Sequence, residues 1–258
     1  MLLAIDVGNT NILLGVYAGG ELRHTWRAST NRERTGDEHG ALFHSFFRMV
    51  GLEFGDVNGC AISNVVPPLA PALREFSRTY LGREPEFLGE ALVPDLPVRY
   101  TPPSAVGADR LADAVAVLKR YGSPAVVADF GTATTFDAIS REGEYLGGAI
   151  APGVGISLEA LFRNAAYLPR IEVARPARVI GGSTLESMQS GAYYGFLSQL
   201  EGMVGRFRAE LGPDTKVIAT GGLAELIGRD TDAVDHVDPY LTLDGLQILW
   251  ERYHASNG

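Results

Sequence analysis

Lysine is nearly absent from this chain. Of its 22 basic residues only Lys119 and Lys216 are lysines, and against 31 acidic residues they leave a net charge of −9. A protein that neutralises a phosphate backbone carries the opposite balance, and no basic run or basic amphipathic stretch offsets it, so nucleic acid is not expected as a partner. The single cysteine, Cys60, excludes an intrachain disulfide framework and any CxxC metal or redox site. A reducing cytoplasm is the expected compartment. No apolar run reaches the ~18 residues that would span a bilayer. The opening MLLAIDVGNT lacks a basic leader region and a cleavage site, so neither membrane insertion nor export is expected. A GxxxxGK[ST] loop is missing, and Gly153-Val154-Gly155 is followed by Leu158 where a complete GxGxxG needs a third glycine. Walker and Rossmann nucleotide sites are therefore not expected. His24, His39, His44, His236 and His254 form no HExxH and no zinc spacing, and read as surface or polar-core residues.

What is present is a globular composition rich in glycine. The 258 residues are 46% hydrophobic and 21% charged, enough for two domains or one large one. The 31 glycines cluster beside acidic and hydroxyl residues, a pattern that points to backbone-lined ligand loops. Leu2 to Ile5 and Ile12 to Tyr17 are apolar runs about the turn Asp6-Val7-Gly8-Asn9-Thr10, which predicts a β-hairpin with a polar tip. Gly19-Gly20 leads to a third strand, Leu22 to Arg27. Leu42, Phe43, Phe46, Phe47 and Val50 have the spacing of one helical face over 36–50, and Gly59 to Val66 reads as a buried strand ended by Pro67-Pro68. The proline-rich stretch Val93 to Pro103 reads as a connector or active-site loop. A helix from Leu111 to Lys119 stops at Gly122. Strands follow at Ala125 to Ala128 and Phe136 to Ile139, then a glycine-lined bend at 147–153. A helix over 157–166 takes Ser157 as its N-cap, and a second runs from Thr184 through Phe196. The strand Val217 to Ala219 then turns through Thr220-Gly221-Gly222 into the helix Leu223 to Ile227.

The chain repeats itself. From Ile5-Asp6-Val7-Gly8-Asn9-Thr10 to Ala128-Asp129-Phe130-Gly131-Thr132-Ala133 is an offset of 123 residues, which aligns strand, aspartate, glycine and hydroxyl-rich turn together. Two related α/β halves with mixed sheets are expected, 1–117 and 118–258.

A strand ending in Asp-x-Gly before Asn or Thr lets backbone N–H groups reach phosphate oxygens while the aspartate holds a divalent cation or its water. Two such loops facing each other, with Thr220-Gly221-Gly222 before a helix N-terminus, make a phosphoryl-transfer layout. The plainer reading is that Asp and Gly only form tight hairpin turns.

Asp6-Val7-Gly8-Asn9-Thr10, Gly107-Ala108-Asp109-Arg110, Asp129 to Thr135, Gly147 to Gly153 and Thr220-Gly221-Gly222 resemble the successive motifs of type III pantothenate kinases. Arg27 to Thr30, Arg34 to Glu38 and Ile62 to Pro67 are similar to further stretches of that family. The resemblance implies an actin-like ATPase fold, two ribonuclease H-like lobes with ATP in the cleft between them. It implies phosphorylation of pantothenate by ATP on the path to coenzyme A, a homodimer, a divalent metal such as Mg²⁺, and a monovalent cation, K⁺ or NH₄⁺.

It also implies residue roles. Asp109 matches the general base, with a helix N-cap before Arg110 as the other reading. Asp6 would position Mg²⁺ through phosphates or water, with Gly8, Asn9 and Thr10 as phosphate donors. Asp129 matches the monovalent-cation aspartate, helped by Thr132. Arg110 matches the partner of the pantothenate carboxylate or, more plainly, forms a surface salt bridge. Tyr100, Gly107 and Thr184 fall where other pantothenate contacts lie, although Tyr100 alone reads as a packing aromatic. Gly221 and Gly222 pass close to the nucleoside, or only serve the turn. Where some relatives carry a lysine after the first loop, Ile12, Leu13 and Leu14 are apolar, so metal ions and backbone must meet the phosphate charge. Other readings are a non-catalytic relative acting as a transcriptional accessory factor, or a kinase for another small hydroxy acid or sugar.

Overall fold

A computed structural model describes residues 1–257. Its chain divides into two compact units. The first comprises Met1–Asp95, Ser104–Ala116 and the segment that begins at Leu241; the second comprises Leu96–Pro103 and Val117–Tyr240. The boundary drawn in the sequence, 1–117 and 118–258, put the segment from Leu241 with the second half, whereas its contacts lie in the first.

In the first unit, β1 (Leu2–Val7), β2 (Asn11–Ala18) and β3 (Glu21–Ser29) precede α1 (Gly36–Met49), β4 (Gly59–Asn64), α2 (Ala70–Phe76) and β5 (Glu86–Phe87). Then α3 (Ala108–Arg120) begins. The second unit holds β6 (Ala125–Phe130), β7 (Ala133–Ile139), β8 (Tyr145–Pro152), α4 (Val154–Asn164), α5 (Thr184–Leu211), β9 (Lys216–Thr220), α6 (Ala224–Gly228) and β10 (His236–Val237). α7 (Leu241–Asn257) belongs to the first unit.

The duplication expected from the motifs is present in the sheets. The first has order β3-β2-β1-β4-β5 and the second β8-β7-β6-β9-β10. In each, the first three strands are antiparallel and the last two join in parallel. β1 and β6 occupy equivalent central positions. Both are buried at every position but the fifth, which is Asp6 in one and Asp129 in the other. A strand covered on both faces needs a continuous apolar run, and Leu-Leu-Ala-Ile and Ala-Val-Val-Ala supply it. Each aspartate is the penultimate residue of its strand and is followed by a core residue, Val7 or Phe130.

The first core packs Leu3, Ile5, Ile12, Leu14 and Ile62 of the sheet against Phe43, Phe47 and Phe76. α1 opens with a capping box: Thr35 Oγ1 accepts from the Glu38 N–H at 3.3 Å, and the Thr35 N–H donates to Glu38 Oε2 at 2.8 Å. The second core joins Val126, Ala128, Phe136 and Val217 to Leu200 and Val204 of α5.

Three local expectations need correction. Residues 147–153 are not a bend: Tyr145–Pro152 is a strand paired with β7. A Cβ on Gly148 would run into the Phe136 carbonyl, so glycine is there for close approach of neighbouring backbones. α4 starts at Val154 with Gly153 as N-cap, which leaves Ser157 inside the helix. α3 starts at Ala108, so Asp109 lies in its first turn and is not an N-cap before Arg110.

Candidate active site

In the first unit, the tip of the β1–β2 hairpin is closed by the Gly8 N–H on the Asn11 carbonyl at 3.0 Å. Asn9 and Thr10 are exposed there. Thr30, just past β3, latches the tip twice: its hydroxyl donates to the Gly8 carbonyl at 2.6 Å and its N–H to the Thr10 carbonyl at 2.9 Å. Arg32 follows and donates from Nη2 to Asn9 Oδ1 at 3.1 Å. Thr30 lay in a stretch that the resemblance had picked out, but neither it nor Arg32 had been given a role.

Asp6 stands on β1 opposite Leu13 of β2 and Ser63 of β4. Its Oδ1 is buried without a hydrogen-bond partner. Burial pushes the carboxyl up to about 7, the charge of Asp109 pushes in the same direction, and the Ser63 hydroxyl partly offsets both. Two carboxylates that far apart in sequence are thus electrostatically coupled in one unit. Ser63 went unnamed as a site residue because only the parallel register of β1 and β4 sets it beside Asp6.

Asp109 is half-buried in the first turn of α3, and its Oδ1 accepts the Arg110 N–H at 2.8 Å. Gly107 makes room for this: a Cβ there would lie 2.5 Å from the same oxygen. Gly107 therefore serves the placement of Asp109 directly. Arg110 is half-buried beside it.

The second unit repeats the pattern with different neighbours. Asp129 on β6 faces Thr135 of β7 and Thr220 of β9. Gly221 has φ +91°, and a Cβ on it would overlap Asp129 Oδ1 and come within 2.7 Å of the Phe130 N. On the other side, a Cβ on Gly131 would stand 3.3 Å from Asp129 Oδ2. Both oxygens are flanked by glycine. Thr132 is exposed at the β6–β7 tip, and its carbonyl passes so close to Gly153 that no Cβ fits. Gly222 is exposed in the turn before α6.

Tyr100 is held against β8. The Tyr145 N–H donates to the Pro97 carbonyl at 2.9 Å and the Arg99 N–H to the Tyr145 carbonyl at 2.8 Å, so this part of the proline-rich connector runs along the strand. Gly147, at φ +115°, leaves space for the Tyr100 ring, 3.1 Å from where a Cβ would be. The Tyr145 hydroxyl donates to buried Asp137 Oδ1 at 2.5 Å, anchoring the strand from within. Thr184 is the exposed first residue of α5. It lines a cavity of about 550 Å³ with Leu158, Leu161, Leu168 and Met188.

The structure thus brings together Asp6 with Asp109, Gly107 with Asp109, Asp129 with Gly221, and Tyr100 with Gly147. Thr184 is joined to none of these.

Among the described residues, no group of three or more His, Cys, Asp or Glu side chains is arranged to hold a metal ion. Asp6 supplies a hard oxygen donor that is buried and unpartnered, which fits a divalent cation held mainly by phosphates and water.

A family model described as type III pantothenate kinase matches residues 2–206. A type III pantothenate kinase of Moorella thermoacetica is 51% identical over 252 residues, 98% of this chain and 99% of that one. Among solved structures, a Campylobacter jejuni protein provisionally named a Baf family transcriptional activator aligns with a TM-score of 0.62 at 18% identity, over 98% of this chain and 99% of that one. The activator of the 2-hydroxyisocaproyl-CoA dehydratase from Clostridium difficile, solved with bound ADPNP, aligns with a TM-score of 0.54 at 12% identity, over 99% of this chain and 96% of that one. The structural likenesses speak for the fold alone, which is that of the actin-like ATPases.

Proposed function

The chain belongs to the type III pantothenate kinase family, and from that premise we infer that it transfers the γ-phosphoryl group of ATP to the primary hydroxyl of pantothenate. The product is 4'-phosphopantothenate, and the reaction is the first step towards coenzyme A. The observation that carries this reading to particular atoms is the coupled pair of carboxylates, Asp6 and Asp109, in the first unit.

An alcohol attacks phosphorus poorly while it keeps its proton, so a carboxylate must accept that proton as the new P–O bond forms. Asp109 has this role. Its Oδ1 is held by the Arg110 N–H, which fixes the carboxylate's orientation. Arg110 takes the pantothenate carboxylate, for which a planar guanidinium suits two parallel hydrogen bonds. Gly107, Tyr100 and Thr184 complete acceptor binding. Asn9 and Thr10 engage phosphate oxygens, as does Thr132, while Gly221 and Gly222 border the nucleoside; Gly8, expected as a further phosphate donor, instead spends its N–H on the Asn11 carbonyl and serves the turn. Asp6 would hold Mg²⁺ through phosphates or water, and Asp129 a K⁺ or NH₄⁺ ion; when bound, these cations offset triphosphate charge that would otherwise repel the acceptor.

Large exposed apolar side chains are concentrated between residues 150 and 185, with Tyr167 at 95% and Ile180 at 84% exposure. Such a stretch suits burial against a second copy, which supports a homodimer. No helix among the described residues is long and apolar enough to cross a membrane.

The deciding experiment measures ADP release by purified protein with ATP, Mg²⁺ and K⁺, with pantothenate present or absent, and with other hydroxy acids or sugars as competitors. Pantothenate-dependent turnover is expected, and lower turnover when Na⁺ replaces K⁺. No turnover with pantothenate would overturn the assignment, and equal rates in Na⁺ and K⁺ would remove the role given to Asp129. Arg110→Ala is expected to raise KM for pantothenate by about 10- to 100-fold, the equivalent of a lost charged hydrogen bond, with KM for ATP little changed. An unchanged pantothenate KM would detach Arg110 from acceptor binding.

A further inference from the structure

The first unit contains a helix that the chemistry above does not use. α7 is packed on the sheet that carries Asp6. The Tyr17 hydroxyl of β2 donates to Asp244 Oδ1 at 2.7 Å. A Cβ on Gly15 would lie 2.8 Å from the Leu243 side chain, and one on Gly59, at the start of β4, 2.4 to 2.8 Å from the Trp250 indole. Both glycines therefore mark close contact with α7.

The same helix also grips α3. A Cβ on Gly245 would stand 2.5 Å from the carbonyl carbon of Ala112 and overlap its oxygen. Such contact between helix backbones is open only to glycine, and Ala112 is three residues beyond Asp109. One turn earlier on α7, the Thr242 hydroxyl donates to Asp113 Oδ1 at 2.7 Å. Asp113 is only 3% exposed and lies four residues after Asp109, on the same helical face. α7 thus touches the strands on either side of Asp6 and the helix that opens with Asp109.

We propose that α7 is the spacer that fixes the separation of Asp6 and Asp109, with Thr242 and Gly245 as positioning residues for phosphoryl transfer. The proposal rests on the reading of Asp109 as the general base. Its physical basis is that proton transfer depends on sub-ångström placement of the base, while α3 meets the sheet of Asp6 through a helix packed against both.

Thr242→Val removes the hydroxyl and keeps the shape, whereas Thr242→Ser keeps the hydroxyl. The expected result is that Thr242→Val lowers kcat about tenfold with KM for ATP within twofold of wild type, and that Thr242→Ser restores kcat to within twofold. In an Asp109→Asn background Thr242→Val adds no further loss, because two changes acting through one group are not additive. If Thr242→Val lowers only the melting temperature, and kcat measured well below it stays within twofold, α7 is merely a brace and the proposal fails. A Thr242→Val loss that persists in full on Asp109→Asn also overturns it. Should Asp109→Asn itself keep a near-normal rate, the base assignment is what has failed. Gly245→Ala is expected to lower kcat further, and the Thr242 pair decides the matter even if that variant does not fold.

Discussion

Asp109→Asn is expected to lower kcat by 10² to 10⁴-fold while the protein stays folded, because removing a positioned general base costs about that much. The structure explains why folding should survive. Asp109 Oδ1 accepts the Arg110 N–H at 2.8 Å, and an asparagine carbonyl oxygen can accept it equally well. Gly107 leaves room for either side chain. The substitution also removes a negative charge that raises the carboxyl of Asp6, so titration of Asp6 should move down towards the ordinary aspartate range. Single-turnover measurements with saturating ATP and pantothenate, together with a carboxyl NMR titration of the unliganded protein, read both effects. A rate within tenfold of wild type would take Asp109 out of proton transfer.

Asp6→Asn is expected to abolish turnover and yet make the unliganded protein more stable above neutral pH. The carboxyl of Asp6 is raised from 3.8 to about 7 in the folded protein, chiefly by burial. Its ionised form is therefore disfavoured by folding. Below about pH 4 the group is protonated in both the folded and unfolded states, and its shift costs nothing. Between pH 4 and 7 the unfolded chain ionises while the folded protein resists, so the cost grows, and it is constant above 7. A shift of that size sets an upper limit of about 4 kcal/mol. Asparagine recovers part of this, since its amide also needs partners near the unpartnered Oδ1 position. Without nucleotide or divalent cation, the variant should melt about 5 °C above wild type at pH 8 and show almost no difference at pH 4. Thermal melts across this range, without ligand, provide the check. A variant no more stable than wild type at pH 8 would mean that Asp6 is not held against its own ionisation.

The sequence displayed the parts of the site whose chemistry lies in residue type and local turn. Asp6 and Asp129 each stand one residue before the end of a buried central strand, where four apolar residues in a row give way to an acid and a glycine-bearing turn. The 123-residue offset between them becomes an identical strand order in two sheets. Features that depend on distant backbone were not legible. Gly148 reads as a bend because its reason for being glycine, the Phe136 carbonyl, lies on another strand. α7 escaped notice for a related reason: Gly245 interrupts it, and glycine inside a helix costs about 1 kcal/mol unless a neighbour requires it. The neighbour is Ala112, more than a hundred residues earlier. Ser63 and the coupling of Asp6 to Asp109 likewise follow from strand register and helix placement.

Because the segment from Leu241 joins the first unit while Val117–Tyr240 forms most of the second, synthesis and assembly run in different orders. A growing chain makes β1 to β5 early, but the helix that covers β1, β2 and β4 leaves the ribosome only after the whole second unit has been translated. At about 5 to 20 residues per second that delay lasts roughly 6 to 25 s. During it, the face of the nascent first sheet that carries Gly15, Tyr17 and Gly59 lacks its helical cover, while α1 lies on the opposite face.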